Sequence, residues 1–342
     1  MKIVIVGNYN EKKAGANFYA TVRKLANGFT RNGHAVLAYS DRDVARNRSA
    51  WGVGRAGVRK ANRQLVNVAR DFRPDLIVSM HADQIANDTL REIKGFLPDL
   101  RIAGINIDAL FVPENLPRIR RLADVADISF ITTAGDALAQ FVTPTHRVAF
   151  IPNATDRSVE NLECFARTDQ AFDLLCAIGS ESGAPWRGDA MRALKAAVPE
   201  GRYGFFGLNG SKPIFGAAYF DAIANSRMGL NLNRSDADYL YSSDRIAQLV
   251  GNGLLVFVER SGGYGDLFAE DEFAFYEGAE ELADKLRYFL AHDAERQAVA
   301  RKGHAKYHAI FNERIVAQFI VEATFGRHVA ADYAWPTTVY GG

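Results

Sequence analysis

The stretch from Arg227 to Val258 constrains the fold of this chain more than any other. Met228-Gly229-Leu230-Asn231-Leu232-Asn233 alternates apolar and polar residues and reads as a buried strand. A polar loop over residues 234–243 leads to a helix that starts near Arg245, with Asp244 or a neighbouring serine as its cap. The apolar face of that helix is Ile246, Leu249 and Val250, and Gly251-Asn252-Gly253 stops it. Leu254-Leu255-Val256-Phe257-Val258 is then a second buried strand. Strand, helix and strand in this order make one βαβ unit, which requires a parallel sheet. Ligands of such sheets sit beyond the carboxyl ends of the strands. Here that loop brings Tyr241, Ser242, Ser243 and Arg245 to a helix N-terminus, a place suited to an anion. The same residues also fit an ordinary crossover, in which the glycines only end a helix and Arg245 only pairs with a carboxylate.

The pattern recurs on both sides. Strands are expected at residues 3–6, 34–39, 74–81, 102–108, 126–132 and 148–152, with helices over 18–29 and 135–141. Residues 152–156 read as the exit from a first domain. A second set of strands is expected at 172–180, 202–207 and 273–276, with helices at 189–198, 217–225, 279–290, 294–310 and 313–325. Glu181, Gly183, Trp186, Arg187 and Gly188 fall in a flexible loop between strand and helix. With 342 residues the chain can bury two such cores. The expected fold is α/β: two Rossmann-like, doubly wound parallel-sheet domains facing a cleft, at 1–154 and 155–312. The closing helix and tail, 313–342, return towards the first domain. The first turn, Gly7-Asn8-Tyr9-Asn10, lacks the G-x-G-x-x-G fingerprint, which argues against a dinucleotide there.

Charge narrows the function. The 41 basic and 40 acidic residues nearly cancel, which excludes a nucleic-acid binder by bulk charge. One tract departs from that balance, with Arg42, Arg46, Arg48, Arg55, Arg59, Lys60, Arg63, Arg70 and Arg73 around Trp51, Gly52, Gly54 and Gly57. It reads either as a solvated helix face with a mobile loop or as a surface for an anionic acceptor or an acidic membrane. No apolar run reaches spanning length, and the opening Met1-Lys2-Ile3-Val4-Ile5-Val6-Gly7 is a strand, not a signal peptide. Cys164 and Cys176 form no metal-type cluster and suit a reducing cytosol. The expected location is cytoplasmic, with the inner face of the membrane within reach of the basic tract. His304 and His308 have the i, i+4 spacing of a metal pair but no evident third ligand, and read as ordinary helix residues.

Several short motifs in order carry a resemblance. Gly179-Ser180 follows a strand, Trp186-Arg187 precedes a helix, and Phe206-Gly207 ends a strand. Residues 229–233, 242–245, 246–253 and 254–258 follow, and then a tail from Glu280-Glu281-Leu282-Ala283 to Ala300-Arg301. With Asp108 and Ile151-Pro152-Asn153-Ala154-Thr155-Asp156 in the first half, the series resembles the GT-B glycosyltransferases of group 1, in the branch similar to spore-maturation-protein-like enzymes. The resemblance implies transfer of a sugar from a UDP- or GDP-linked donor to a hydroxyl of a cell-surface glycan or glycolipid precursor. It implies Arg187 and Arg245 as the cations for the diphosphate, with Gly179, Ser180, Tyr241, Ser242 and Ser243 around them. Phe206, Gly207 and Phe215 would lie by the base. Gln248 stands where the family often has a ribose-binding Glu, and Leu240 stands eight residues earlier, so the paired-glutamate motif is absent. No Asp-x-Asp sequence is present, which points away from a metal-dependent transferase. Asp108 and His81, at strand ends, are either a general base or orienting groups for the acceptor, or caps of their loops. A non-catalytic two-domain binding protein and a sugar-nucleotide epimerase of the same fold remain alternatives. Turnover of a sugar nucleotide without acceptor separates them.

Overall fold

A computed structural model describes residues 1–46, 54–326 and 332–341. Arg48, Trp51 and Gly52 of the basic tract lie outside the described residues. In chain order the elements are β1 (Lys2–Gly7), α1 (Thr21–Arg31), β2 (Ala35–Ser40), α2 (Asp41–Arg46), α3 (Arg55–Phe72), β3 (Leu76–Met80), α4 (Asn87–Phe96), β4 (Arg101–Asn106), α5 (Leu116–Ala123), β5 (Ile128–Ile131) and β6 (Arg147–Phe150). They continue with β7 (Phe172–Ala177), α6 (Trp186–Ala197), β8 (Tyr203–Phe206), α7 (Ala217–Ala224), β9 (Ser226–Leu230), α8 (Arg245–Gly251), β10 (Leu255–Glu259), β11 (Ala274–Tyr276), α9 (Gly278–Ala291), α10 (Asp293–Ile310), α11 (Glu313–Thr324) and β12 (Val339–Tyr340). No helix among the described residues is long and apolar enough to cross a membrane.

One compact unit comprises Met1–Ala154 with Glu313–Gly342. Its seven-stranded sheet has the order β12-β6-β5-β4-β3-β1-β2, with β1 to β6 parallel and the short β12 antiparallel on β6. Val4, Ile77, Ile102 and Ile128 are fully buried in this sheet, as continuous apolar strands with helices on both faces require. The chain leaves β1 for β2 and returns on the other side of β1 as β3, so the direction of winding switches between β1 and β3. Helix α11 lies on α1 at Gly28, where a Cβ would stand 2.1 Å from the Glu313 carbonyl oxygen. Arg31 pairs with Glu313 at 2.5 Å beside that contact.

The other unit, Thr155–Asn312, holds a five-stranded, all-parallel sheet in the order β11-β10-β9-β7-β8. Its core gathers Leu174, Cys176, Met191, Met228, Leu230, Leu255, Phe257 and Leu286. The βαβ unit expected from residues 227–258 is β9, α8 and β10. Helix α8 is not amphipathic, because all seven of its residues are buried. Helix α10 covers its end, with His304 Nδ1 3.3 Å from the Val250 carbonyl and His308 Nε2 2.9 Å from that of Gly251. These imidazoles meet the last carbonyls of the helix, that of Val250 being shared with the Gly253 N–H at 2.9 Å.

Some boundaries differ from those expected. Strand β9 ends at Leu230 and does not run to Asn233, because Leu232 and Asn233 turn to serve Arg245 and Asp236. Residues 136–141 form a 3-10 helix, and α8 has no side-chain cap from Asp244. Helix α6 starts at Trp186, so Arg187 lies in its first turn and not in a loop. Among the described residues, the basic tract contributes to α2 and α3. On α3, Gly57, Ala61, Leu65 and Ala69 face inward, while Arg55, Arg59, Lys60 and Arg63 are exposed.

Two carboxylates tie strand ends to their neighbours. Asp173 accepts hydrogen bonds from Arg202 at 2.8 and 2.9 Å and from Arg227 at 2.9 Å, and Asp127 from Ile102 N–H, Lys94 and Arg101. Burial works against ionisation of both, but these donors outweigh it and hold both carboxyls below the usual range. A depressed carboxylate stabilises the fold above its unfolded value of about 4, and that stabilisation is lost as pH falls. Urea unfolding is therefore expected to show stability falling steadily below about pH 4, and Asp173→Asn is expected to make that acid limb shallower. An acid limb of the same slope in the variant would remove Asp173 from this account.

Candidate functional site

The carboxyl edge of the second unit's sheet gathers three arginines. Arg245 opens α8 and is 9% exposed. Its guanidinium reaches back across the edge to the Leu232 carbonyl at 2.7 Å and the Ala177 carbonyl at 3.4 Å, while its Nε has no partner. Arg187, in the first turn of α6, is 4% exposed and donates to the Ser180 carbonyl at 2.6 Å. Arg234, from the loop after β9, is exposed, with Nη1 3.8 Å from the Cβ position of Gly183. Burial first, and then the charges of Arg245 and Arg234, push Arg187 below the ordinary arginine value. None of the three forms an ion pair among the described residues; the arginines nearby that do are Arg192, with Asp189, and Arg260, with Glu270. A cluster of uncompensated guanidiniums of this kind is completed by an anion with several oxygens.

The other expected residues of this unit fall at the same edge in different states. Gly179 has open space where a Cβ would be, and Ser180 is exposed, its hydroxyl accepting Ser182 N–H at 3.0 Å. Ser243 has a buried hydroxyl without a partner. Ser242, in contrast, is fully buried, and its hydroxyl is engaged by Asn231 at 3.0 Å and by the Ser243 carbonyl. Tyr241 is also buried. Gln248 is 3% exposed, and its amide lies 3.4 Å from the Asp244 carboxylate. Gly207, at φ +72°, packs so tightly that a Cβ would stand 2.0 Å from the Ile178 carbonyl oxygen. Phe206 meets Phe172 edge to face with centroids 6.2 Å apart, so that part of its ring is used in packing, whereas Phe215 is 52% exposed. Since α8 has only seven residues, positive charge at this edge comes from guanidiniums more than from a helix terminus. Arg234 was not singled out from sequence, although it opens the polar loop after the β9 pattern and could have been.

Asp108 and His81 meet in the first unit. Asp108 Oδ2 lies 2.5 Å from Arg118 and 3.4 Å from His81 Nδ1, and Arg118 also donates to Asn106 at 3.1 Å. His81, at φ +51°, accepts the Ile107 N–H on Nε2 at 3.3 Å. That bond requires the tautomer with hydrogen on Nδ1, facing Asp108. Both nitrogens of His81 are thus engaged within the first unit, Nε2 by the Ile107 N–H and Nδ1 beside Asp108. Asp108, more exposed, keeps its other oxygen. Burial, outweighing Asp108, lowers the His81 pKa from its ordinary value. The folded protein therefore holds His81 neutral where an unfolded chain begins to protonate it, and this contribution to stability is lost as pH falls below about 6.5. The His81 ring resonances are expected to titrate with a midpoint below the ordinary value of about 6.5; a midpoint at or above it would contradict the buried, doubly bonded ring.

The architecture has many counterparts. A sucrose-phosphate synthase from Thermosynechococcus elongatus matches with a TM-score of 0.62 at 13% identity, over 95% of this chain and 98% of that one. Anabaena HepE, in complex with UDP and glucose, matches with a TM-score of 0.55 at 14% identity, over 95% and 100%. A glycosyltransferase from Rickettsia africae matches with a TM-score of 0.56 at 9% identity, over 96% and 99%. At such identities the likeness is one of fold. No curated protein matches in sequence. Residues 165–322 match the family described as glycosyl transferase-like, a span that includes the arginine cluster. That match covers the second unit, and the two α/β units have the GT-B fold that these solved proteins share.

Proposed function

We propose that the chain transfers a sugar from a UDP- or GDP-linked donor to a hydroxyl of a cell-surface glycan or glycolipid precursor, without a metal, as an enzyme of the spore-maturation-protein-like branch. The observation that carries this reading is the cluster of Arg187, Arg234 and Arg245, without an ion pair among the described residues, at the carboxyl edge of a parallel sheet. As the bond between the anomeric carbon and the diphosphate oxygen breaks, the leaving diphosphate gains charge, and prepositioned guanidiniums stabilise it. The partnerless Ser243 hydroxyl and the exposed Gly179-Ser180 backbone supply further hydrogen bonds. Phe215 offers a ring for the base, and Gln248 with Asp244 an amide and a carboxylate for the ribose. On the first unit, Asp108 is the group that orients the acceptor hydroxyl or takes its proton. Anabaena HepE, crystallised with UDP and glucose, favours uridine among the candidate bases.

The exposed row Arg55, Arg59, Lys60 and Arg63 on α3 supports peripheral contact with an anionic membrane at the cytoplasmic face. Thermal melting against UDP, GDP, ADP, dTDP, CMP and NAD tests the donor assignment. A diphosphate present at a hundred times its dissociation constant adds about 2.7 kcal/mol of stability, seen as a raised melting temperature. No shift with any diphosphate at millimolar concentration would refute it.

A further inference from the structure

The carboxyl edge of the second unit carries a second set of groups that the diphosphate leaves unused. Glu259 ends β10 and Tyr276 ends β11, and the two stand opposite each other in the parallel register. Asp236 comes from the loop after β9. It accepts a hydrogen bond from Asn233 at 2.7 Å, and its Oδ1 lies 3.8 Å from the Cβ position of Gly262. The Asn233 side-chain oxygen lies 3.4 Å from the Ser243 N–H, so one residue ties Asp236 to the segment that leads into Arg245. Among the described residues neither Asp236 nor Glu259 forms an ion pair: the cations nearby, Arg260 and Lys285, are taken by Glu270 and Glu281. Tyr276 is 5% exposed, and its hydroxyl makes no hydrogen bond among the described residues. Burial first, and then the Asp236 charge, hold Glu259 above the usual carboxylate range; burial does the same for Asp236 against the pull of Asn233 and Arg245.

Two half-buried carboxylates without a counter-ion, beside a buried phenol with a free hydroxyl, call for a ligand that donates hydrogen bonds. We propose that Asp236, Glu259 and Tyr276 form the pocket for the sugar head of the donor and act as a charge filter, taking neutral or cationic sugars and rejecting anionic ones. The inference rests on the diphosphate reading, because Arg245 adjoins both groups and fixes which end of the donor arrives here. Sugar hydroxyls donate hydrogen bonds to the two carboxylates and accept one from the Tyr276 O–H. An amino group on the ring adds a compensating charge, whereas a ring carboxylate adds a third anion in a poorly solvated place.

Calorimetric titration of the whole protein at pH 7 with UDP, UDP-glucose, UDP-glucosamine and UDP-glucuronate tests this. GDP, GDP-mannose and GDP-mannuronate replace them if GDP is the nucleotide bound. The uronate donor is expected to bind at least tenfold more weakly than its neutral counterpart, and the amino sugar at least as tightly as glucose. In the Asp236→Asn, Glu259→Gln double variant the uronate penalty is expected to fall below threefold, with affinity for the bare nucleotide unchanged. Unchanged nucleotide affinity also reports that the variant is folded, and the order of affinities in the wild type tests the filter without any variant. A uronate donor that binds as tightly as the neutral one, while the nucleotide itself binds, would overturn the filter and leave the diphosphate site standing. Failure of every nucleotide to bind would overturn both.

Discussion

Arg245→Ala is expected to weaken nucleoside diphosphate binding by about 1.5–3 kcal/mol, the worth of a hydrogen bond to a charged group, which is roughly ten- to over a hundredfold in Kd. The guanidinium is 9% exposed and held by the Leu232 and Ala177 carbonyls, so it is placed before any ligand arrives. Little ordering remains to be done on binding, and the charge acts in a poorly solvated place. The same removal leaves two carbonyls short of a donor, so the melting temperature of the variant must be measured beside its affinity. Arg245→Lys separates the two effects, because it keeps a charge but loses the planar fork that spans both carbonyls and a phosphate oxygen. It is expected to bind diphosphate at an intermediate affinity. A folded Arg245→Ala protein with wild-type nucleotide affinity would place the anion elsewhere.

Gly28→Val is expected to lower the stability of the first unit by about 3 kcal/mol, through overpacking of a close helix contact. A Cβ at Gly28 would stand 2.1 Å from the Glu313 carbonyl oxygen and 3.0 Å from the Ala317 Cβ. Backbone cannot rotate away as a side chain can, so α1 and α11 would have to separate, opening the Arg31 to Glu313 pair. Replacing glycine in a helix returns up to about 1 kcal/mol of propensity, too little to offset that overlap. For a unit of this size the change corresponds to a drop of ~6–12 °C in melting temperature. An unchanged melting temperature would mean that α11 does not pack on α1 as described.

The sheets were legible because strand and helix periods are written within windows of about ten residues. Residues 3–6, 74–81, 172–180 and 254–258 are apolar runs long enough to be buried on both faces, and all four became central strands. Where the pattern misled, a tertiary partner had taken over. The alternation through Asn233 looks like strand to its end, yet the backbone leaves the sheet at Leu230 so that Leu232 can meet Arg245. Trp186 and Arg187 follow a glycine-rich stretch and read as loop, but burial of Arg187 draws them into the first turn of α6. The short β12 is invisible in sequence, since two residues carry no period and only the free edge of β6 gives them a place.

The same division runs through the sites. Composition and local pattern placed polar, charged and glycine residues at strand ends and so determined by themselves that this is a two-sheet α/β protein. Which of those residues share a space was decided only by the tertiary structure. Strand order sets Glu259 opposite Tyr276, the loop after β9 brings the Asp236 charge to act on both, and Arg187 comes within reach of the Arg245 charge. Folding also engages groups that look free in sequence: the Ser242 hydroxyl is given to Asn231, and the His81 Nε2 to the Ile107 N–H. Hydrogen-bond partners and desolvation are properties of atoms distant in the chain, so no local window contains them.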